Sequence, residues 1–440
     1  MFDNADFVLE PSARTANRVA AQLGIADDAD VMTLRHAYLV AYQFPAPLMV
    51  RVADDMLADL RDDVGTRNVG RVVAVGRDGH HLALAMSKLD GEFFGRHGSN
   101  LVLSRILVEN ALQDLERHQG LTFPHLHGFR GAAPRVRAAD TVGGFRLLTD
   151  YLHDNQVPVG RPGSRVALVD TSFKGTVQEL LAAAYPETEF VGRYAFHAES
   201  PDDPHPGTKK GYEVHLSASE TQRGRALEVL PADESKTFAH RMALHSVEKL
   251  LNGPMSSPER IGVRRPEQSA QRHDPEMLRG LSRARLSPRL RDPRVREGVK
   301  VVNLRAVADL ARHVAMLRDR GAEYRPWLDD WAGRYRREVR AWITDRPTDR
   351  RLAEFLDSFV YRSDNRQVEA LQKSLDRARV PERDRPAIWE AYERCGSERD
   401  KQVFAENVLN ATRGGAGGGR WWRRGSRGRV DGPRGGGREL

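Results

Sequence analysis

Short apolar runs alternate with helical patterns over residues 66–258, and this alternation restricts the fold more than any other feature. The clearest run is Arg-Val-Ala-Leu-Val at 165–169, and others lie at 72–75, 100–103 and 190–196. The first three in chain order are each followed by a polar segment and then by helical periodicity. Strands that alternate with helices form parallel sheets through right-handed crossovers. The sequence therefore predicts an α/β fold with a doubly wound parallel sheet.

Four further segments surround this expected ligand-binding domain at 66–258. Helical spacing predicts a helical N-terminal segment at 1–65 and a helical region at 301–411. Residues 259–300 are rich in arginine and proline, which indicates an exposed linker. Residues 412–440 are mostly glycine and arginine with few apolar residues, so we expect this tail to be disordered.

The net charge of +8 is concentrated at the C-terminus. Residues 411–440 hold eight arginines against Asp431 and Glu439, a net charge of +6, which leaves +2 for the other 410 residues. A nearly neutral body argues against a basic nucleic-acid groove within the fold. The tail also contains Trp421 and Trp422 among its arginines, a composition suited to weak, non-specific contact with nucleic acid.

Composition excludes several other classes of protein. The single cysteine, Cys395, excludes an internal disulfide and every multi-cysteine metal centre. The histidines at 80–81 and 125–127 lack the spacing of a helical zinc site, so we expect no metal ligands there. No apolar run approaches the roughly 18 residues of a membrane-spanning helix, and the acidic residues at 3–6 do not suit a signal peptide. We therefore expect a cytoplasmic protein without a membrane partner.

The segment Asp-Thr-Ser-Phe-Lys-Gly-Thr at 170–176 is the strongest candidate for a ligand site. The strand before it delivers Asp170 to the carboxyl end of the sheet, where ligands of such folds bind. Lys174 adds positive charge, Gly175 permits a tight turn, and Thr176 begins a helix whose N-terminus suits a phosphate. Asp170 is expected to orient sugar hydroxyls or to hold Mg²⁺ through water. The alternative is an ordinary strand-to-helix turn.

A second polar segment, Gly-Arg-Asp-Gly at 76–79, follows the first strand, and we expect it to be a loop. Asp78 in this segment is a candidate base, and the alternative is a turn closed by an internal Arg–Asp pair. Because the carboxyl ends of parallel strands meet at one edge, we expect both polar segments to face one cavity. The expected ligand contacts that follow the first two strands are Arg77, Gly79, Ser104 and Arg105.

The order of these motifs resembles a known group of proteins. Arg-Asp-Gly at 77–79, Ser-Arg at 104–105 and Val-Asp-x-x-x-x-Gly-Thr-x-Gln at 169–178 are similar to the second half of bacterial haloacid-dehalogenase-superfamily hydrolases of polysaccharide gene clusters. The resemblance extends over roughly residues 40–360. The hydrolase half of those proteins has no counterpart here, so the resemblance implies a fold and does not imply phosphatase activity.

The same layout is more distantly similar to type I phosphoribosyltransferases, which hold a phosphorylated ribose between a glycine loop and an Asp-rich Gly-Thr loop. In this sequence a single acid, Asp170, stands where those enzymes have an adjacent pair, and the loop is shorter. The resemblance implies a phosphoribosyltransferase-like fold and a phosphorylated sugar or nucleotide as ligand. The departures from the pattern count against transfer of a diphosphate-bearing ribose.

Three functions stay open on the sequence alone. The first is a transferase or hydrolase that acts on a phosphorylated small molecule, with Asp170 and Asp78 as its catalytic residues. The second is a non-catalytic nucleic-acid-associated protein that binds through the arginine-rich linker and tail. The third is a scaffold for protein interactions. The dependence of binding on salt concentration distinguishes the first two functions, because nucleic-acid binding by a basic tail falls steeply with ionic strength.

Overall fold

The computed structural model describes residues 5–171, 173–222, 228–395 and 398–413. The chain divides into two compact units. The larger unit consists of residues 1–279 and 286–360, and the smaller unit consists of residues 280–285 and 361–440. The expected disordered tail lies outside the described residues from 414 onward, as do the two tryptophans that would support nucleic-acid binding.

A five-stranded parallel sheet forms the centre of the larger unit. Its strands are β1 (Arg71–Val75), β2 (Gly98–Leu101), β3 (Ser164–Asp170), β4 (Thr188–Ala198) and β5 (Lys209–Leu216). They pair in the order β2-β1-β3-β4-β5, and every pair is parallel. The predicted α/β class and parallel sheet are thus confirmed. The connections diverge in opposite directions from the point between β1 and β3, which is where ligands of open α/β sheets bind.

Helices account for most of the remaining chain. Those of the larger unit are α1 (Ala5–Leu23), α2 (Asp28–Gln43), α3 (Pro45–Thr66), α4 (Gly76–Leu89), α5 (Gly91–His97), α6 (Arg105–Gln119), α7 (Gly144–Asp154), α8 (Thr176–Ala184), α9 (Ala218–Gln222), α10 (Arg241–Leu251), α11 (Pro293–Asp319), α12 (Arg325–Ile343) and α13 (Arg350–Phe359). Those of the smaller unit are α14 (Asn365–Arg377), α15 (Arg385–Glu393) and α16 (Glu398–Arg413). Within the described residues, no helix combines the length and apolar character that crossing a membrane requires.

Alternate residues of the central strands face two separate hydrophobic cores. On β3, Val166 and Leu168 pack in one core with residues of α6, α7 and α8. Ala167 and Val169 pack in the other core, to which α3, α4, α10 and α11 contribute. A parallel strand that is covered on both faces has apolar residues at successive positions, which explains the continuous apolar run in the sequence.

Two expected segment boundaries differ from the structure. Residues 76–79 form the first turn of α4 and not a loop, because Gly76 adopts φ +64° and lets the chain pass directly from β1 into a helix. The second strand ends at Leu101, before the expected 100–103 run is complete, because the amide of Val102 donates to the hydroxyl of Tyr151 at 2.9 Å. The sequence pattern does not predict β5, whose many polar residues are typical of an edge strand.

The expected linker at 259–300 is folded over much of its length. Met255 and Ala270 pair in an antiparallel bridge, and the amide of Gly262 donates to the carbonyl of Arg265 at 2.9 Å. We call residues 255–270 the hairpin segment. Helix α11 then begins at Pro293, inside the expected linker, because the Asp292 side chain caps it and proline is tolerated at the first helical position.

The smaller unit has its own apolar core and a buried ion pair. The core residues, all from α14, α15 and α16, are Val368, Leu371, Leu375, Ile388, Tyr392, Ala405 and Val408. Asp364 is buried beside them and receives two hydrogen bonds of 2.8 Å from the guanidinium of Arg285. A bidentate pair of this kind fixes the geometry of both side chains.

Helix α4 contacts β3 so closely at Gly79 that a side chain does not fit. A Cβ atom at this position would lie 2.7 Å from the carbonyl oxygen of Val169, which is backbone and cannot move aside. We predict that Gly79→Ala lowers the free energy of unfolding by about 1–3 kcal/mol. The exposed helical Gly95, with nothing within 4 Å of its Cβ position, is the matched control. Gly95→Ala should be neutral or stabilising by up to about 1 kcal/mol. Denaturant unfolding of both variants tests this, and equal effects would contradict it.

Candidate functional site

A cavity of about 420 Å³ opens at the carboxyl edge of the sheet, beyond the ends of β1 and β3. Its wall includes residues that follow three strands, together with residues of α10 and the hairpin segment. Seven of the nine predicted site residues line it: Arg77, Asp78, Ser104, Arg105, Asp170, Lys174 and Thr176. The two polar segments at 76–79 and 170–176 therefore face one cavity.

Gly79 and Gly175 are the two predicted site residues that do not line the cavity. Gly79 packs α4 against β3, as described above. Gly175 precedes α8 with φ +69°, and a Cβ atom there would lie 2.8 Å from the Cε atom of Lys209. Both glycines allow a helix to approach the sheet, so their contribution to the site is the placement of α4 and α8.

Three helices begin at the cavity. Helix α4 begins at Gly76 and α8 begins at Thr176, and neither receives a capping hydrogen bond from the side chain that precedes it. Helix α6 is capped by Ser104, whose Oγ accepts from the amide of Leu107 at 3.2 Å. The first N–H groups of a helix and its dipole favour an anion at the N-terminus. The cavity therefore offers two helix termini to a negatively charged ligand.

The hydroxyl of Ser104 is occupied by the protein itself. Besides capping α6, it donates to the carbonyl of Pro258 in the hairpin segment at 2.7 Å. Nearly two turns along α6, the Asn110 amide donates to the carbonyl of Glu259 at 3.0 Å. These two bonds hold the hairpin segment against α6, where Ser257 forms part of the cavity wall. Ser104 thus positions the wall, which differs from the ligand contact that the sequence predicts.

Most of the basic side chains at the cavity lack an acidic partner. Within the described residues, Arg77, Arg105 and Lys174 form no ion pair within 4.0 Å, and the Nε atom of Arg77 is buried without a hydrogen bond. Arg135, which also lines the cavity, pairs with the exposed Glu259 at 3.3 Å. Positive side chains that face a cavity without partners are arranged to receive an anion.

Burial raises the pKa of two acidic side chains of the cavity. Burial, followed by the neighbouring Asp78 and Glu248, raises the pKa of Asp170 well above its usual range. Burial, followed by Asp78, also raises the pKa of Glu248 to about 8. The amide of Thr171 donates to Asp170 Oδ1 at 2.8 Å, which opposes the shift without cancelling it. A raised pKa favours the uncharged form, so these two carboxyls neutralise the cations less than ordinary carboxylates would.

Helix α10 supplies two cavity residues that sequence reasoning did not select. His245 and Glu248 lie three positions apart, on the same side of the helix, and both line the cavity. Burial, followed by Lys249 and Arg241, lowers the pKa of His245 to about 4, so this imidazole is neutral. In the sequence, the only indication of these two residues is that they are polar positions on a helix with many apolar residues. His245 and Glu248 lie about 70 residues beyond β3 in the sequence, so only the fold shows that they reach the carboxyl edge of the sheet.

Buried polar contacts support the 170–176 segment from behind. The hydroxyl of Tyr194 on β4 donates to Gln178 of α8 at 2.8 Å. The ammonium group of Lys209 on β5 pairs with Glu179 of α8 at 2.5 Å and with Asp203 at 2.8 Å. These contacts tie the first turn of α8 to two strands, so the N-terminus that faces the cavity is held on a rigid frame.

Charged side chains enter the cavity from both faces of the sheet. Arg77 and Asp78 belong to α4 and Glu248 belongs to α10, and both helices pack in the core that contains Val169. Arg105 belongs to α6, which packs in the opposite core, and Arg135 lies in a turn that contacts α6. Asp78 and Glu248 therefore enter from the same face as Arg77, whereas Arg105 and Arg135 enter from the other.

The histidines that the structure describes do not gather into a metal-ligating group. Among the described residues, no group of three or more His, Cys, Asp or Glu side chains is arranged to hold a metal ion. His81 is a core residue whose Nε2 lies 3.2 Å from the sulfur of Met49, and burial lowers its pKa to about 3. His205 pairs with Glu179 at 2.7 Å.

Compared with known proteins, the chain matches no protein-family model, no curated protein and no solved structure. The site geometry is therefore the basis for the functional argument.

The raised pKa of Glu248 makes stability depend on pH. A group whose pKa rises from 4.5 to about 8 on folding stabilises the protein below pH 4.5, and this contribution is lost as pH rises through 8. Glu248→Gln cannot ionise and keeps a similar shape. Because one pKa unit corresponds to about 1.4 kcal/mol, the variant should exceed the wild type in free energy of unfolding by about 2 kcal/mol or more at pH 9. The two proteins should be similar at pH 5. Urea unfolding at both pH values measures this, and a difference that does not grow with pH would contradict the shift.

Proposed function

We propose that the cavity binds the phosphate group of a phosphorylated sugar or nucleotide. The observation that carries the proposal is that the N-termini of α4 and α8 meet at one cavity with three basic side chains that have no acidic partner among the described residues. Phosphate accepts hydrogen bonds from backbone N–H groups at helix termini and from the fork of an arginine. Arg77, Arg105 and Lys174 are the proposed phosphate contacts.

The charge balance of the cavity supports an anionic ligand over a cationic one. Burial raises the pKa of Asp170 and Glu248 and so favours their uncharged forms, which leaves Arg77, Arg105 and Lys174 with less acidic charge to balance them. The Nε atom of Arg77 is buried without a hydrogen bond, whereas Arg105 and Lys174 are exposed, and an anion would give all three side chains a partner. A cationic ligand would have to overcome the positive field of these side chains.

The size of the cavity supports a small molecule. Its volume of about 420 Å³ lies within the range of roughly 300–1,000 Å³ typical of ligand pockets. The ring of Phe173 and the side chains of Val177 and Leu244 provide apolar surface beside the charged groups. A phosphate attached to a sugar or nucleoside would use both kinds of surface.

We propose further that the fold is phosphoribosyltransferase-like and that the cavity supports a transfer or hydrolysis reaction in the cytoplasm. Asp170 and Asp78 are the proposed catalytic carboxyls, since both face the cavity from neighbouring strand ends. A magnesium ion would fit at these carboxyls, because Mg²⁺ is often held by one or two carboxylates together with substrate phosphate.

We predict that Arg105→Gln weakens binding of ribose 5-phosphate by about ten- to a hundred-fold, because a hydrogen bond between charged groups contributes about 1.5–3 kcal/mol. The wild type should be stabilised by about 2.7 kcal/mol at a ligand concentration of 100 times Kd. Thermal shift and calorimetric titration measure both quantities. The control is Arg146→Gln on α7, an exposed arginine that does not line the cavity.

The variant and its control decide between a specific site and general charge attraction. If Arg105→Gln and Arg146→Gln weaken binding equally, the effect comes from net charge and the proposed site is wrong. If the wild type shows no stabilisation by ribose 5-phosphate, adenosine monophosphate or inorganic phosphate, the proposed function fails.

A further inference from the structure

We propose that the cavity binds its ligand in one direction, with the phosphate among Arg77, Arg105 and Lys174 and with sugar hydroxyls against α10, and that Glu248 recognises those hydroxyls. This inference rests on the proposed function and specifies the ligand as a polyhydroxylated phosphomonoester. It also adds to the site a residue from a part of the chain that neither predicted segment contains.

The direction follows from where the walls of the cavity originate. Arg105 enters with α6 from one face of the sheet, close to the N-terminus of α8. Asp78 and Glu248 enter with α4 and α10 from the other face. A phosphate placed against α10 would lie beside the acidic side chains of Glu248 and Asp78 and away from Arg105 and Lys174. The reverse orientation is therefore disfavoured by charge.

Glu248 is positioned firmly and is free to contact a ligand. The apolar residues around it on α10, including Val247 and Leu251, are fully buried and fix the helix. The Glu248 carboxyl lines the cavity and forms no hydrogen bond or ion pair with any residue in the described part of the chain. A half-buried carboxyl without a partner is costly unless a ligand or water satisfies it.

Hydroxyl groups fit this carboxyl better than other ligand groups do. A protonated carboxyl both donates and accepts, and a sugar hydroxyl does the same, so the two can exchange hydrogen bonds without any change in charge. A second phosphate would be repelled by Asp78, and an ammonium group would have to displace the proton that burial retains on Glu248. Of these ligand groups, the hydroxyls of a sugar phosphate therefore suit the Glu248 carboxyl best.

The protonation of Glu248 should also control affinity for the phosphate. The charged and titratable groups that face it come from five places in the fold: Arg77 and Asp78 on α4, Arg105 on α6, Asp170 and Lys174 after β3, His245 and Lys249 on α10, and Lys300 on α11. As pH rises through about 8, Glu248 ionises and adds a negative charge to the cavity. Phosphomonoesters, with a second pKa near 6, are already dianions there, so their affinity should fall.

Calorimetric titration of the full chain with three probes measures separately how the phosphate and the hydroxyls of the ligand contribute to affinity. Ribose 5-phosphate carries a phosphate and hydroxyls, ethyl phosphate carries the phosphate with an apolar group, and inorganic phosphate carries no organic part. The variants are Glu248→Leu, which removes hydrogen bonding, and Glu248→Gln, which keeps shape and removes ionisation. The control is Glu187→Gln, an exposed glutamate just before β4, at the opposite edge of the sheet.

We expect Glu248→Leu to weaken the affinity for ribose 5-phosphate by about tenfold at pH 7. The affinities for ethyl phosphate and inorganic phosphate should stay within about twofold of the wild-type values. Glu248→Gln should abolish the fall in ethyl phosphate affinity between pH 7 and 9, whereas Glu187→Gln should retain it. Circular dichroism establishes that each variant is folded. Should Glu248→Leu not fold, the Gln variant still tests the pH dependence.

Three results would overturn the inference. Equal weakening of all three probes by Glu248→Leu would mean that Glu248 only maintains the shape of the cavity. Unchanged affinity for ribose 5-phosphate would mean that the hydroxyls lie elsewhere, while the proposed phosphate site would survive. If the wild type binds none of the three probes, the proposed function fails and this inference fails with it.

Discussion

The backbone contact between α4 and β3 at Gly79 is the constraint on which the site depends. Because no side chain separates the helix from the carbonyl of Val169, α4 starts immediately at the end of β1 and its N-terminus points into the cavity. That contact places Arg77 and Asp78 beside Asp170, which ends the neighbouring strand. A wider separation of helix and sheet would move the first turn of α4 away from the edge where the strands end.

The site combines a rigid frame with unsatisfied charges. Behind it, Lys209 is paired with Glu179 and Asp203, so the buried polar groups that support α8 have partners. At the cavity, the Nε atom of Arg77 has no hydrogen-bond partner. Burial and the neighbouring Asp78 disfavour the charged form of Glu248, so this carboxyl keeps its proton. The Nε atom of Arg77 is one of several buried polar atoms without a hydrogen bond in the described part of the chain, and among them it is the one that lines the cavity.

Much of the fold could be predicted because its signals are local. Five consecutive residues, the apolar run at 165–169, are enough to indicate a buried parallel strand. The polar segment after this run indicates where the strand ends. The meeting of 76–79 with 170–176 follows from parallel geometry, which brings all carboxyl ends to one edge. β5 could not be predicted, since an edge strand needs only partial apolar character. The hairpin segment could not be predicted either, because its hydrogen bonds join residues that have no regular pattern.

The sequence by itself determined the α/β class, the edge of the sheet at which the cavity lies and most of the side chains found there. This was possible because a buried strand, and the polar residues that end it, form a pattern of consecutive residues in the sequence. Tertiary structure alone decided that Gly79 packs α4 on β3, that Ser104 holds a wall, and that Glu248 reaches the cavity. It also decided which carboxyls are charged, since the pKa of Glu248 depends on burial and on neighbours distant in sequence. Proximity across the fold and exclusion of water are properties of the packed chain, and no local pattern encodes them.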